Sequence, residues 1–397
     1  MAPPTTTPGS EFPFSLERPF VLRLDPLLLL AVLALLGCSL VAISGATSDD
    51  VPGAPHHFVI RQAVAAAAGV VLMFAVAAFD YSRLSDLRRG LYVVTIVTIA
   101  LVFLIGGVTR GSRRWIDLPF FTFQPSELGK LLLIVALAGF VVERARRLRD
   151  RETTAWVTLL ALVPAILVIA QPDLGSGLVY VAIAVVILFV AGAPWRHFAA
   201  LGALAAVAVA LVLAAAPAAG VQVLEPYQVD RLTAFLHPSD DPGDEGYQQS
   251  QSRIAIGSGE KTGRGSERAT QTRLNFLPEH HTDFIFAVVG ETYGFVGAAL
   301  ILSLYALLIW RSLRILTMAK NLFGALIAAG IVAMLMFQVF VNVGMTVGIV
   351  PITGVTLPLL SYGGSSVLVT LLAVGLLQSI HVQARDVAAR KGRVHTF

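Results

Sequence analysis

The chain has 397 residues, 56% of them hydrophobic and only 14% charged, with a mean hydropathy of +0.76. Those values exclude a water-soluble domain and leave an all-α polytopic membrane protein, because only helices satisfy their own backbone in lipid over repeated apolar runs. The formal net charge of +4 is no nucleic-acid footprint, since basic residues in such a chain report orientation; the single Cys38 cannot close an internal disulfide.

Residues 1–25 are rich in Pro, Thr and Ser and read as a disordered cytoplasmic N-terminus. About ten transmembrane helices follow, near 26–45, 58–79, 91–108, 127–143, 155–170, 174–192, 199–216, 284–310, 322–341 and 363–383, each near the length a bilayer needs. They make one integral membrane domain, 26–383, with a cytoplasmic tail at 384–397. With the N-terminus inside, most of the 29 basic residues fall in cytoplasmic gaps, Arg144, Arg146, Arg147, Arg149 and Arg151 foremost. Arg110, Arg113 and Arg114 fall on the outside against that rule, and anion binding is one reason for cations to be there.

Residues 217–283 form the one large extracytoplasmic loop. It holds the acidic, turn-rich stretch His237 to Gly246 and then Tyr247 to Gly257, which reads as an amphipathic helix lying on the membrane surface. The gap 342–362 is too apolar for an ordinary loop and too rich in Gly and Pro for a helix. Such a segment can enter the membrane where protein shelters its backbone.

Asp283 stands where the long loop meets the eighth span. Either Thr282 or Asp283 caps that helix, or the carboxylate is a general base beside a lipid-anchored substrate. Glu291, eight residues on, would lie roughly 12 Å deeper on the same helix and needs a partner there, a structural hydrogen bond or ion pair. Glu127 and Lys130 are i, i+3 neighbours at the start of the fourth span; they form a self-contained pair, or Lys130 offers its charge to a phosphate. Arg114 and Trp115 just before it are interface anchors or diphosphate ligands. Gln171 and Asp173 bound a tight turn between the fifth and sixth spans. His280 and His281 lack a third ligand at zinc spacing, whereas a hard divalent ion on carboxylate and phosphate oxygens stays open, with Asp283 as a ligand.

These stretches together resemble the SEDS family of membrane glycosyltransferases. The resemblance rests on Arg114-Trp115, FQPSELGK at 123–130, QPDLGSG at 171–177, QSRIAIGSG at 251–259, FLPEHHTDFIFAVVGE at 276–291 and NVGMTVGIVPITG…LPLLSYGGSS at 342–366. The last two strings look more like RodA, the elongation member, than FtsW, the division member. Thr356 in place of a usual proline, and Thr292-Tyr293 in place of the more common Glu-Leu, depart from the pattern.

The resemblance implies polymerisation of lipid II into β-1,4 glycan strands of peptidoglycan at the bacterial inner membrane, during elongation and rod-shape maintenance. The active site would face the extracytoplasmic side, and the crosslinking partner would be a class B penicillin-binding protein. It makes Asp283 the catalytic residue and Arg114, Trp115, Gln124, Glu127, Lys130, Gln171, Asp173, Ser361 and Tyr362 the substrate-binding set. Mg2+ or Mn2+ would assist the leaving diphosphate, with no organic cofactor and no nucleic-acid partner. A lipid II flippase is the rival reading, supported by the interrupted segment 342–362. A scaffold for cell-wall enzymes is the third.

Overall fold

Asp25 starts the first helix. Its carboxylate accepts the Leu27 and Leu28 N–H groups at 3.1 and 3.0 Å, and Pro26, which has no N–H to lose, takes the first helical position. The computed structural model that begins here describes residues 20–47, 53–109, 112–117, 122–215, 228–229, 231, 235, 245–274 and 276–394. Residues 237–244 of the acidic stretch, most of the N-terminal segment and Arg110 lie outside the described residues.

The helices are α1 (Pro26–Ala46), α2 (His57–Ala78), α3 (Arg88–Ile105), α4 (Pro125–Glu143), α5 (Arg151–Ile169), α6 (Leu174–Val190), α7 (Trp195–Ala210, extended by a π-turn), α8 (Glu245–Ser258), α9 (Ile285–Met318), α10 (Leu322–Val347) and α11 (Gly364–Val394). Among the described residues nine are long and apolar enough to cross a membrane, and α6 is a shorter apolar helix. These ten match the ten predicted spans, and the chain is a multi-pass membrane protein.

Burial sorts the spans into layers. The apolar windows of α4, α10 and α11 are 78%, 72% and 89% buried, so these helices form the centre, joined by Leu137, Leu326, Leu335 and Leu371. The window of α7 has no fully buried residue; the helix lies at the periphery and touches the rest near its start, where His197 Nδ1 lies 2.7 Å from the Thr154 hydroxyl.

Four features differ from the sequence reading. First, the gap before α4 carries a small antiparallel sheet of β1 (Gly107–Thr109), β2 (Ser112–Asp117) and β3 (Thr122–Phe123). Second, α8 is helical as expected but lies against protein. Its Ser252 hydroxyl donates to the Thr346 carbonyl at 2.8 Å and Gln249 Nε2 to the Val350 carbonyl at 3.2 Å. Third, α10 runs to Val347, so 342–347 is helix; Gly348 then ends it in the left-handed region at φ 85°.

Fourth, α9 is broken at Gly294, whose φ of 65° and ψ of −159° no helix contains. Residues 259–265 stitch the break. Arg264 and Gly265 N–H groups donate to the Glu291 and Thr292 carbonyls at 2.9 and 3.0 Å; Phe295 and Val296 donate to the Glu260 and Lys261 carbonyls at 2.9 and 3.1 Å. Four backbone groups freed by the break are thereby satisfied, as a membrane boundary demands. The stretch 295–318 is long enough to cross alone at about 1.5 Å per residue, so 285–293 is a separate arm and Glu291 precedes the crossing part.

The irregular stretch 348–363 is sheltered as expected. Ile352, Thr353, Val355, Leu357, Leu359 and Leu360 are buried, and Ser39 donates to the Leu360 carbonyl at 2.7 Å. Gln62 serves it twice: Nε2 donates to the Ser361 carbonyl at 3.1 Å, and Oε1 accepts the Gly363 N–H at 3.2 Å.

Candidate functional site

The turn that presents Asp283 is built on one carbonyl. That of Glu279 accepts the N–H groups of Thr282, Asp283 and Phe284 at 3.2, 3.2 and 3.3 Å. Glu279 itself sits at φ 55°, a left-handed conformation that costs about 1–3 kcal/mol for a non-glycine residue. The N-cap of α9 is Phe284, with no side-chain capping bond. Neither of the two residues proposed as caps holds the cap position. The half-buried Asp283 carboxylate instead faces the 353–355 segment, its Oδ2 3.6 Å from where a Cβ at Gly354 would stand.

Asn342 joins that segment to the turn. Its Nδ2 donates to the Asp283 carbonyl at 2.9 Å and to the Val355 carbonyl at 2.7 Å. The other side of 353–355 lies on the start of α6. A Cβ at Gly175 would stand 2.6 Å from the Thr353 carbonyl, so only glycine permits this approach. Asp173 caps α6 there, its Oδ1 accepting the Ser176 N–H at 3.0 Å and its Oδ2 the Gln124 amide at 3.3 Å. The Gln124 N–H donates to Ser365 Oγ at 3.0 Å, which donates to the Thr122 carbonyl at 2.9 Å. Three stretches far apart in the chain thus meet around 353–355.

Arg114 belongs to the same assembly. Its Nε donates to the Gln171 carbonyl at 3.1 Å and its Nη2 to the Pro172 carbonyl, while Gln171 Nε2 reaches the Ile99 carbonyl at 2.7 Å. Trp115, beside it in β2, pairs with Gly107. Lys130 Nζ lies 2.6 Å from Glu127 Oε1 with both side chains buried, so the geometry is that of the self-contained pair. The Ser126 carbonyl next to it accepts from the Tyr180 hydroxyl at 2.8 Å.

On the far side of Asp283, the Tyr362 N–H donates to the His281 carbonyl at 2.9 Å. The Tyr362 ring meets Phe58 and His281 at centroid distances of 5.2 and 5.6 Å, and burial pushes its hydroxyl above the ordinary tyrosine range. Ser361 is buried, and its Oγ accepts the Leu357 N–H at 2.9 Å, a bond that shapes the loop. Glu291 accepts the Gln271 N–H at 2.9 Å and the Thr272 N–H and hydroxyl at 3.1 and 2.7 Å, the structural role expected of it.

Among the described residues no group of three or more His, Cys, Asp or Glu is placed to hold a metal ion. Sequence reasoning missed Asn342 and Gln62 as organisers. The available signal was an amide inside an apolar run, which must find partners when buried.

The Asp283 carboxylate is thus half-buried just before α9 and faces the 353–355 segment. Comparison with known proteins identifies the lineage. The family model of the FtsW, RodA and SpoVE cell cycle proteins matches residues 24–386. The chain belongs to that family. It is 38% identical to the peptidoglycan glycosyltransferase MrdB of Escherichia coli K12 over 91% of this chain and 95% of that one. It is 40% identical to a probable peptidoglycan glycosyltransferase FtsW of Thioalkalivibrio sulfidiphilus over 94% and 93%. Near-equal identities to an MrdB and an FtsW leave the SEDS family established and its elongation and division branches unseparated. A solved chain from a study titled as structural coordination of polymerization and crosslinking by a peptidoglycan synthase complex superposes with a TM-score of 0.76. It is 35% identical over 90% of this chain and 97% of that one.

Proposed function

We propose that this chain is a peptidoglycan glycosyltransferase that polymerises lipid II, with Asp283 as general base. The observation that carries the reading is the Asp283 carboxylate turned toward 353–355 while Phe284 holds the cap position. Asp283 takes the proton from the acceptor sugar's 4-hydroxyl as that oxygen attacks the donor's anomeric carbon. The bond to the α-linked diphosphate breaks, the electron pair leaves with the diphosphate, and a β-1,4 bond forms with inversion. Arg114 lies in the same assembly and stabilises the departing charge. Lys130 would first have to release Glu127 to take part.

Both substrates carry their own lipid anchors, so a site at the extracytoplasmic surface of the bacterial inner membrane meets them without extracting either. The RodA-like strings favour work in elongation, beside a class B penicillin-binding protein that crosslinks the product. The test is polymerisation of lipid II by purified protein in detergent. Asp283→Asn should fold and insert as wild type yet make no glycan, and full activity in that variant would overturn the assignment. Lipid II flipping is the second reading, favoured by the interrupted segment 348–363; it predicts no polymer from either protein in detergent.

A further inference from the structure

The second turn of α2 is docked beside the Asp283 turn by one buried amide. Gln62 Nε2 donates to the Ser361 carbonyl and to Ser39 Oγ, at 3.1 and 3.2 Å, and its Oε1 accepts the Gly363 N–H. Phe58 lies one turn earlier on the same face of the helix. Its ring therefore meets both His281, at a centroid distance of 4.8 Å, and Tyr362, at 5.2 Å, while those two rings lie 5.6 Å apart. The three rings form one cluster. Each is half-buried, so each keeps part of its surface accessible.

Arg61 adjoins Gln62 and is exposed. Among the described residues it enters no ion pair. Its guanidinium stands at the Tyr362 hydroxyl, where it offsets part of the upward push that burial exerts on that group. An arginine at a membrane interface usually extends toward the headgroups. This one is directed instead at a phenol in the loop bonded to the Asp283 turn. Outward from Asp283 the groups come in a set order: the carboxylate, the rings of His281, Tyr362 and Phe58, and then the Arg61 guanidinium. A lipid-linked glycosyl diphosphate entering hydroxyl first has the same order. Its sugar rings can lay C–H faces on the electron-rich faces of aromatic rings. A guanidinium takes phosphate oxygens two at a time.

The transfer joins two substrates that each carry a lipid-linked diphosphate, and only the donor loses its own. With Arg114 on the departing diphosphate, the acceptor's diphosphate needs a separate cation. We propose that Arg61 holds the diphosphate of the acceptor lipid II, with Phe58, His281 and Tyr362 as the floor beneath its sugars. The α2 side of Asp283 is then the acceptor subsite and the Arg114 side the donor subsite. This assignment rests on the lipid II polymerase reading. A bilayer phospholipid would match the guanidinium but has no sugar to place on the rings.

The experiment follows single transfers by the purified full chain in detergent. Labelled lipid II with its 4-hydroxyl blocked can act only as donor. Two acceptors compete for it: lipid II, and the same disaccharide pentapeptide carried on a neutral lipid glycoside. Wild type should favour the diphosphate acceptor about tenfold in kcat/KM, the ratio expected of charge-assisted hydrogen bonds to one phosphate. Arg61→Gln should bring the ratio to about one, through KM for the diphosphate acceptor, and Arg61→Lys should keep part of it. Phe58→Leu should raise KM for both acceptors and leave their ratio, because the rings meet the sugars that both share. A ratio unchanged in Arg61→Gln, a ratio near one in wild type, or a wild-type ratio abolished by excess phosphatidylglycerol would each overturn the assignment. Failure of wild type to transfer to either acceptor would overturn the polymerase reading, and the subsite with it.

Discussion

Asn342 holds the carbonyls of Asp283 and Val355 with one amide nitrogen, at 2.9 and 2.7 Å. The residue is fully buried and so is its bond to the Val355 carbonyl, so that carbonyl has no ready access to water in its place. Asn342→Leu should cost about 1–3 kcal/mol of stability, the range for buried polar groups left without a partner. It should also slow glycan synthesis at least tenfold, because the Asp283 turn and the 353–355 segment lose their common tie. Thermal unfolding in detergent reads the first effect and lipid II polymerisation the second. A variant that loses stability but keeps full activity would detach Asn342 from the positioning of Asp283.

The spans were legible because lipid demands long apolar runs, and each run carries that demand within its own residues. The pairing of Glu127 with Lys130 was legible for a similar reason, since i, i+3 neighbours on a helix meet wherever the helix lies. The break at Gly294 was not, because a lone glycine in an apolar run is usually tolerated inside a helix. What makes it a break is the strand of chain at 259–265 that supplies four hydrogen bonds, and no local pattern reports that. The same limit governed Asp283. Whether it caps α9 depends on which residue turns first into helical geometry, and that residue is Phe284. The meeting of Asp283 and Gly175 on 353–355, with Gln124 bound to the neighbouring Asp173, is non-local and could be expected only from resemblance.

Glu127 and Lys130 give a test of whether the pair is structural. Both side chains are buried, so removing one partner strands a charge in a low-dielectric setting. Glu127→Gln or Lys130→Met alone should cost about 3–5 kcal/mol. The double replacement should recover much of the loss, a large coupling energy in a double-mutant cycle. If the double variant is stable yet fails to polymerise lipid II, Lys130 has a second duty toward the leaving diphosphate. If it is stable and active, the pair serves the fold alone.

Gly294→Ala addresses the broken helix. A Cβ there would lie 2.3 Å from the Gly263 nitrogen and 2.7 Å from that of Thr262, on a backbone at φ 65°. The strain should cost about 1–3 kcal/mol or push 259–265 away from the break. Hydrogen exchange is the direct readout: the amides of Arg264, Gly265, Phe295 and Val296 should lose protection together. Protection unchanged at all four would mean that the helix closes without the stitch.

At the opposite face, Asp25 ties α1 to α9 and α11. Its carboxylate pairs with Arg311, and its N–H and carbonyl bond the Gln378 amide at 2.8 and 3.1 Å. Burial pushes the Asp25 carboxyl up, but the hydrogen bonds from Arg311 and Leu28 and the charges of Arg311 and His381 outweigh it. The group is held below the ordinary carboxylate range. A lowered folded-state value means the stabilisation is complete above the unfolded value, about pH 4, and is lost as pH falls through the folded one. Asp25→Asn keeps an acceptor for the cap but leaves Arg311 without its charge partner. It should cost on the order of 3 kcal/mol at pH 7. The gap to wild type in thermal unfolding should stay constant from pH 8 to about pH 5 and close only below about pH 4. A gap that narrowed around pH 6 instead would shift the assignment to His381, whose Nδ1 lies 3.9 Å from Asp25 Oδ2.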